Sequence, residues 1–233
     1  MNLKPLRPEL TLDEAVALAC RTYGVAADRL DRASLCSPLS RRIAAREHAA
    51  QDEPLVPEEP EAPSEFSAYD RFVEDDPHAH LWDLYFGRIE YVAADEGAWT
   101  YERTVRILGA DRHHALPPTR SHHAIPGTSI ECVSPLPYGR ALDLASAAAG
   151  VPRELVHSVW YESAKMASRR EPYEGATGEP LRVPHWVIEF DHWEAELRGG
   201  LWVNPCADLF VFEDERVELR RHDWMRRLPP EAW

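Results

Sequence analysis

QDEPLVPEEPEAPSEF, residues 51–66, places a proline at every third position (Pro54, Pro57, Pro60, Pro63) among six carboxylates and no base. Prolines at that spacing favour polyproline-like backbone, and the carboxylates repel one another, so the stretch reads as an extended spacer. It divides the chain into a helical module at 1–50, a Pro/acidic linker at 51–66 and an α+β domain at 67–233. Charge divides the same way: residues 1–50 carry +2, the linker −6 and the remainder −10.

The whole chain has 233 residues, with 26 Lys and Arg against 40 Asp and Glu, a formal charge of −14. Hydrophobic residues make up 44 %, with eight Trp and eight Tyr, enough to build a packed core and exclude wholesale disorder. No run approaches the ~18 apolar residues of a membrane helix, and Met1–Leu10 lacks a signal peptide's apolar stretch. A cytoplasmic protein with no membrane contact is expected. Its acidity excludes a histone-like or polybasic membrane-binding role. Cys20, Cys36, Cys132 and Cys206 are scattered, as reduced structural thiols would be. No internal repeat is visible in the sequence.

In the first unit, Thr11-Leu12-Asp13-Glu14 has the form of a capping box. Val16, Ala19, Cys20 and Tyr23 recur at helical spacing, and Gly24 is placed to end that helix. A second helix is expected over Ala26–Arg32, and Ser37-Pro38 opens a third carrying Arg41, Arg42 and Arg46. The fold expected is therefore a small N-terminal three-helix cluster followed by an antiparallel sheet.

In the second unit, alternation at Tyr85, Ile89, Tyr91 and Ala93, then at Trp99, Tyr101, Val105 and Ile107, predicts a hairpin turned by Asp95-Glu96-Gly97. Residues 109–128 read as a loop and Ser129–Val133 as a strand. Helices are expected at 140–149 and 152–169. The second of these carries Leu155, Val156, Val159, Trp160, Ala164 and Ala167 as an apolar stripe that lies along one face of the sheet. Trp186, Ile188 and Phe190, then Leu201–Val203 and Leu209–Phe212, complete a meander around a Gly199-Gly200 turn. Glu162 and Lys165 would then pair across one helical turn, and Glu189 and Asp191 would lie on a solvated strand face.

The run ACRTYGVAADRL…SPLSRRIAAREHAA resembles the C-terminal helix-turn-helix DNA-binding domain of the replication initiator DnaA, over residues 11–50 alone. The likeness rests on the Tyr23-Gly24-Val25…Leu30 spacing and on Arg41-Arg42-Ile43-Ala44. It implies a third helix in the major groove, with Arg41, Arg42 and Arg46 touching phosphates and bases.

Chemistry-bearing residues are few. His78 and His80 would share a face on an extended chain and, with Asp83, His113 and His122, could hold Zn or another divalent metal for hydrolysis. Adjacent pairs such as His113-His114 point opposite ways, so each pair offers one ligand. Phosphate-cradling glycine loops and a nucleophile elbow are absent. Trp193, Trp224 and Trp233 fall outside the core pattern, and aromatics beside carboxylates suit recognition of a basic protein. The resulting expectation is a non-catalytic interaction protein without catalytic residues or cofactor: a helical recruitment module and an α+β domain that binds a macromolecule. Its alternatives are a metal-dependent hydrolase centred on His78, His80 and the 109–128 loop, and an acidic immunity-type inhibitor of a basic toxin or nuclease.

Overall fold

The computed structural model describes residues 8–36, 79–91, 99–116, 129–169, 182–190, 196–198 and 201–226. Helix α1 (Leu12–Tyr23) opens on the capping box that the sequence announces: Thr11 N–H donates to the Glu14 carboxylate at 2.8 Å, and Glu14 N–H donates to the Thr11 hydroxyl at 3.3 Å. It closes at Gly24, whose φ of 68° is the left-handed conformation that glycine adopts without a Cβ clash. A 3-10 turn (Ala27–Arg29) leads into β1 (Leu30–Cys36). Then follow β2 (Leu81–Tyr91), β3 (Trp99–Leu108), β4 (Arg112–Leu116) and β5 (Ser129–Cys132). Helix α2 (Tyr138–Ala149) and a second 3-10 turn (Arg153–Leu155) precede β6 (Val156–Glu162) and the short α3 (Ala164–Arg169). The chain ends its described part with β7 (His185–Phe190), β8 (Glu196–Arg198), β9 (Leu201–Phe212) and β10 (Val217–Arg226).

All ten strands join one antiparallel sheet, ordered β10-β9-β7-β6-β1-β2-β3-β4, with β5 added to β2 and β8 to β9. Both long helices share one core with the sheet. It gathers Leu12, Val16 and Ala19 of α1, Leu142 and Ala145 of α2, and Ala33, Trp82, Leu84, Ile107, Val159, Trp186 and Leu209 from the strands. Two smaller apolar groups, one around Leu81 and Leu108 and one around Val187, Phe210 and Phe212, occupy the opposite strand positions. No described helix is long and apolar enough to cross a membrane.

The architecture corrects the expected one. The second helix predicted for Ala26–Arg32 is a single 3-10 turn, after which the chain enters a central strand. The long amphipathic helix predicted for 152–169 is a 3-10 turn, a strand and six residues of helix. Among the described residues, a mostly β arrangement with two full helices stands where the first two cluster helices and the sheet-covering helix are expected. The alternation-based hairpin is present as β2 and β3, and Ser129–Cys132 is a strand as read. Residues 112–116 of the expected loop form β4. Leu201–Val203 and Leu209–Phe212 belong to one continuous strand. The third helix, the linker at 51–66 and the Asp95-Glu96-Gly97 turn lie outside the described residues.

The sheet is also a duplication, which the sequence reading missed. Each half runs helix, left-handed glycine, 3-10 turn, bulged strand. Gly24 and Gly150 share a φ of 68°, Val25 and Val151 follow them, and the bulges fall at Leu30/Arg32 and Val156/Ser158. Buried Ala15, Val16 and Ala19 match Ala141, Leu142 and Ala145, each 126 positions on. In the second strand of each half, Trp82, Leu84 and Phe86 match Trp186, Ile188 and Phe190. Trp82 Nε1–H donates to the Leu10 carbonyl at 2.9 Å, and Trp186 Nε1–H donates to the Leu136 carbonyl at 2.8 Å. The halves meet where β1 pairs with β6. Ala33 lies opposite its own counterpart Val159, flanked by Arg32↔Trp160 and Ser34↔Ser158, the register of a twofold axis.

Candidate functional site

The site lies at the end of β2, where β1 gives way to β5 as its neighbour. Gly87 turns the strand there with a φ of 64°; a Cβ on it would lie 2.5 Å from the Glu102 carboxylate and 2.9 Å from the Arg29 guanidinium. Beyond it, register sets Arg88 between Tyr101 and Cys132, and Glu90 between Trp99 and Ile130. Residues directly opposite in a ladder share a face, so these six form two rows on one side of the sheet.

The inner row centres on a buried arginine, with Tyr101 and Cys132 half-buried on either side. Arg88 is 2 % exposed. Its Nη1–H donates to the Tyr161 carbonyl at 2.9 Å and Nη2–H to Cys132 Sγ at 3.0 Å. Asp31, at the β1 bulge, approaches Nη1 at 3.2 Å, and Glu90 approaches Nε at 3.3 Å. Ser163, at the start of α3, donates its hydroxyl to Glu90 at 2.6 Å and accepts Met166 N–H at 3.3 Å. One guanidinium therefore ties together β1, β2, β5 and the end of β6, joining both halves of the molecule.

Electrostatics suit holding rather than reacting. Burial is the largest single influence on Arg88 and opposes its charge, but Asp31, Cys132 and Tyr101 together outweigh it and keep the guanidinium protonated. Burial pushes the Asp31 carboxyl up to about 7, against the pull of Arg88 and the Tyr101 hydroxyl. Burial raises the Cys132 thiol as well, with Arg88 pulling the other way. It raises the Tyr101 phenol, and Asp31 adds to that. A thiol and a phenol held protonated are poor nucleophiles.

The outer row is open. Trp99 is 41 % exposed and Ile130 56 %, on either side of buried Glu90, with Val133 at 46 % just beyond β5. On the opposite face, beside Gly87, Arg29 is shared by Glu102, at 2.9 Å, and Glu131.

The residues singled out from sequence lie elsewhere. Arg41, Arg42, Arg46, Trp193, Trp233, His78 and His122 fall outside the described residues. Trp224 is in β10 opposite Asn204, where its side chain is not described. His80 Nδ1 lies 3.0 Å from Glu9, Asp83 accepts from Arg106 Nε at 2.8 Å, and His113 Nδ1 lies 2.7 Å from the Tyr23 hydroxyl. Register sets His113 opposite Ile107, on the core face, whereas Asp83 lies on the other face, so the structure does not bring these two together. Among the described residues no three His, Cys, Asp or Glu side chains converge as metal ligands. Glu162 is in a strand rather than a helix, where it accepts Trp160 Nε1–H at 3.1 Å. Glu189 accepts the Ser158 hydroxyl.

Sequence reasoning passed over Arg88 because a lone arginine among alternating apolar residues looks like an edge charge. Gly87 just before it, a glycine inside a strand, is the signal that could have marked the place. Compared with protein-family models, curated proteins and solved structures, the chain finds no match.

Proposed function

We propose that this chain is a non-catalytic binding protein that holds a basic protein partner on the Trp99, Ile130 and Val133 patch. The observation that carries the reading is the pairing of an open apolar row with a buried charge cluster beside it on the same sheet face. Glu90 sits between Trp99 and Ile130 in register, yet it is held inward by Ser163 and Arg88. The patch thus has a stiff floor and loses little conformational freedom on binding. Exposed aromatic and aliphatic anchors carry most of the energy in protein recognition. The chain's overall charge of −14 favours a cationic partner.

The test is quantitative co-purification from source cells with the full chain, compared with Trp99→Ser/Ile130→Ser and with Leu219→Ser, which removes an exposed residue elsewhere. The reading expects one or a few strongly basic proteins, lost with the double variant and kept with Leu219→Ser. Capture of the same proteins by all three, or of acidic proteins, would overturn it.

A further inference from the structure

The duplication supplies an internal comparison, and one line of residues breaks it. On the sheet face turned from the helices, register sets Ser158, Ser34, Asp83, Arg106 and His114 side by side across five strands. The counterparts in the second half are Trp160 for Ser34, Val187 for Asp83, Phe210 for Arg106 and Glu218 for His114. Asp83 and Arg106 therefore form an ion pair at 2.8 Å where the other half packs valine against phenylalanine. Apolar residues serve this sheet position equally well, and replacing a buried ion pair by an apolar pair is commonly neutral or stabilising. The fold alone does not call for the charges.

Arg32 is exposed, with its guanidinium 5.7 Å from the centre of the Tyr85 ring, and it acts on Asp83 from the side away from Arg106. Arg32 and Arg106 flank the Asp83 carboxylate, and Glu189 accepts the Ser158 hydroxyl at the other end of the line. The 5.7 Å separation is within cation–π reach of the ring, and the planar fork of Arg32 is the geometry that takes two oxygens of a carboxylate or phosphate.

We infer that this line is a binding subsite for an anionic oxygen group, a carboxylate or a phosphate, received by Arg32 over Tyr85 and oriented by the Asp83–Arg106 pair. It shares no residue with the Trp99 patch and stands independently of the function proposed there. The anion has two sources. One is a ligand in trans. The other is the chain's own carboxylates at 51–66, within the 44 residues between β1 and β2; the equivalent connection, between β6 and β7, has 22.

Isothermal titration of the full chain with inorganic phosphate and with hexaglutamate, at fixed ionic strength, tests the assignment. It is repeated on a variant whose Asp52, Glu53, Glu58, Glu59, Glu61 and Glu65 are changed to amides. Arg32→Ser and Asp83→Val/Arg106→Phe are the site variants, each introducing the residue that the counterpart position already carries, with folding checked by circular dichroism. Binding by the native chain assigns a ligand in trans, and binding only after amidation assigns the 51–66 carboxylates. In either case Arg32→Ser weakens it by roughly tenfold or more, the scale of a charge-assisted contact, and Asp83→Val/Arg106→Phe folds and weakens it too. Absence of binding in both the native and amidated chains, or binding undiminished by Arg32→Ser, would overturn the inference; Arg32→Ser decides it if the double variant fails to fold.

Discussion

Asp31 is where the chemistry of a single residue reaches the stability of the whole chain. Its carboxyl titrates near 4 when unfolded and at about 7 when buried beside Arg88. Between those values the folded state holds the proton and the unfolded state does not, so stability falls as pH rises from about 4 to about 7 and levels off above. Asp31→Asn cannot take the charge. Chemical denaturation of the variant across pH 4–8 is therefore expected to lose that part of the decline, while Arg88 keeps Glu90 as its counter-ion. A decline as steep as in the native chain would mean that Asp31 is already ionised in the fold. This residue was legible in the sequence only as one charge in a presumed helix. Its importance comes from the bulge that turns it toward Arg88, a feature of pairing rather than of composition.

At the scale of elements, the α1–β1 and α2–β6 units are the same object built twice, and the tryptophan that locks each helix entry makes that measurable. Trp82→Phe and Trp186→Phe each strip a buried indole N–H from a carbonyl just before a helix. Each is expected to cost about 1–3 kcal/mol, the penalty for an unmet buried acceptor. The two losses should be comparable in denaturant melts. A loss confined to one of them would show that the halves are not equivalent in stability.

Why the first strand of each unit was misread is physical. The run VHSVWYE in β6 is covered on both faces, so its apolar residues do not alternate and match a helix stripe as well as a strand. In β1 the bulge between Leu30 and Arg32 breaks the period of two, leaving charges where alternation expects a buried residue. The capping box, Gly24 and the β2–β3 hairpin were readable because each is written in local residues that need no partner strand.

At the scale of the molecule, the repeat escaped notice for two reasons. Matching positions keep burial more often than identity: Leu84 with Ile188 and Val105 with Leu209, beside a few identities such as Trp82 with Trp186. In addition, the connection from β1 to β2 is 22 residues longer than that from β6 to β7. Counterparts therefore lie 126 positions apart before that connection and 104 after it, and no single period spans the chain. The proline-rich acidic run that suggested two separate units belongs to that longer connection. The candidate site was out of reach for a related reason, because Asp31, Arg88, Cys132 and Ser163 are scattered along the chain and meet only through the sheet.

That α1 and β1 are woven into the centre of one duplicated sheet is the claim on which the rest depends. Nuclear Overhauser contacts between the backbones of β1 and β6 measure it directly. The account predicts cross-strand contacts centred on Ala33 and Val159 and symmetric about them, Arg32 with Trp160 and Ser34 with Ser158. Absence of those contacts, with residues 12–36 tumbling independently of the remaining strands, would contradict it.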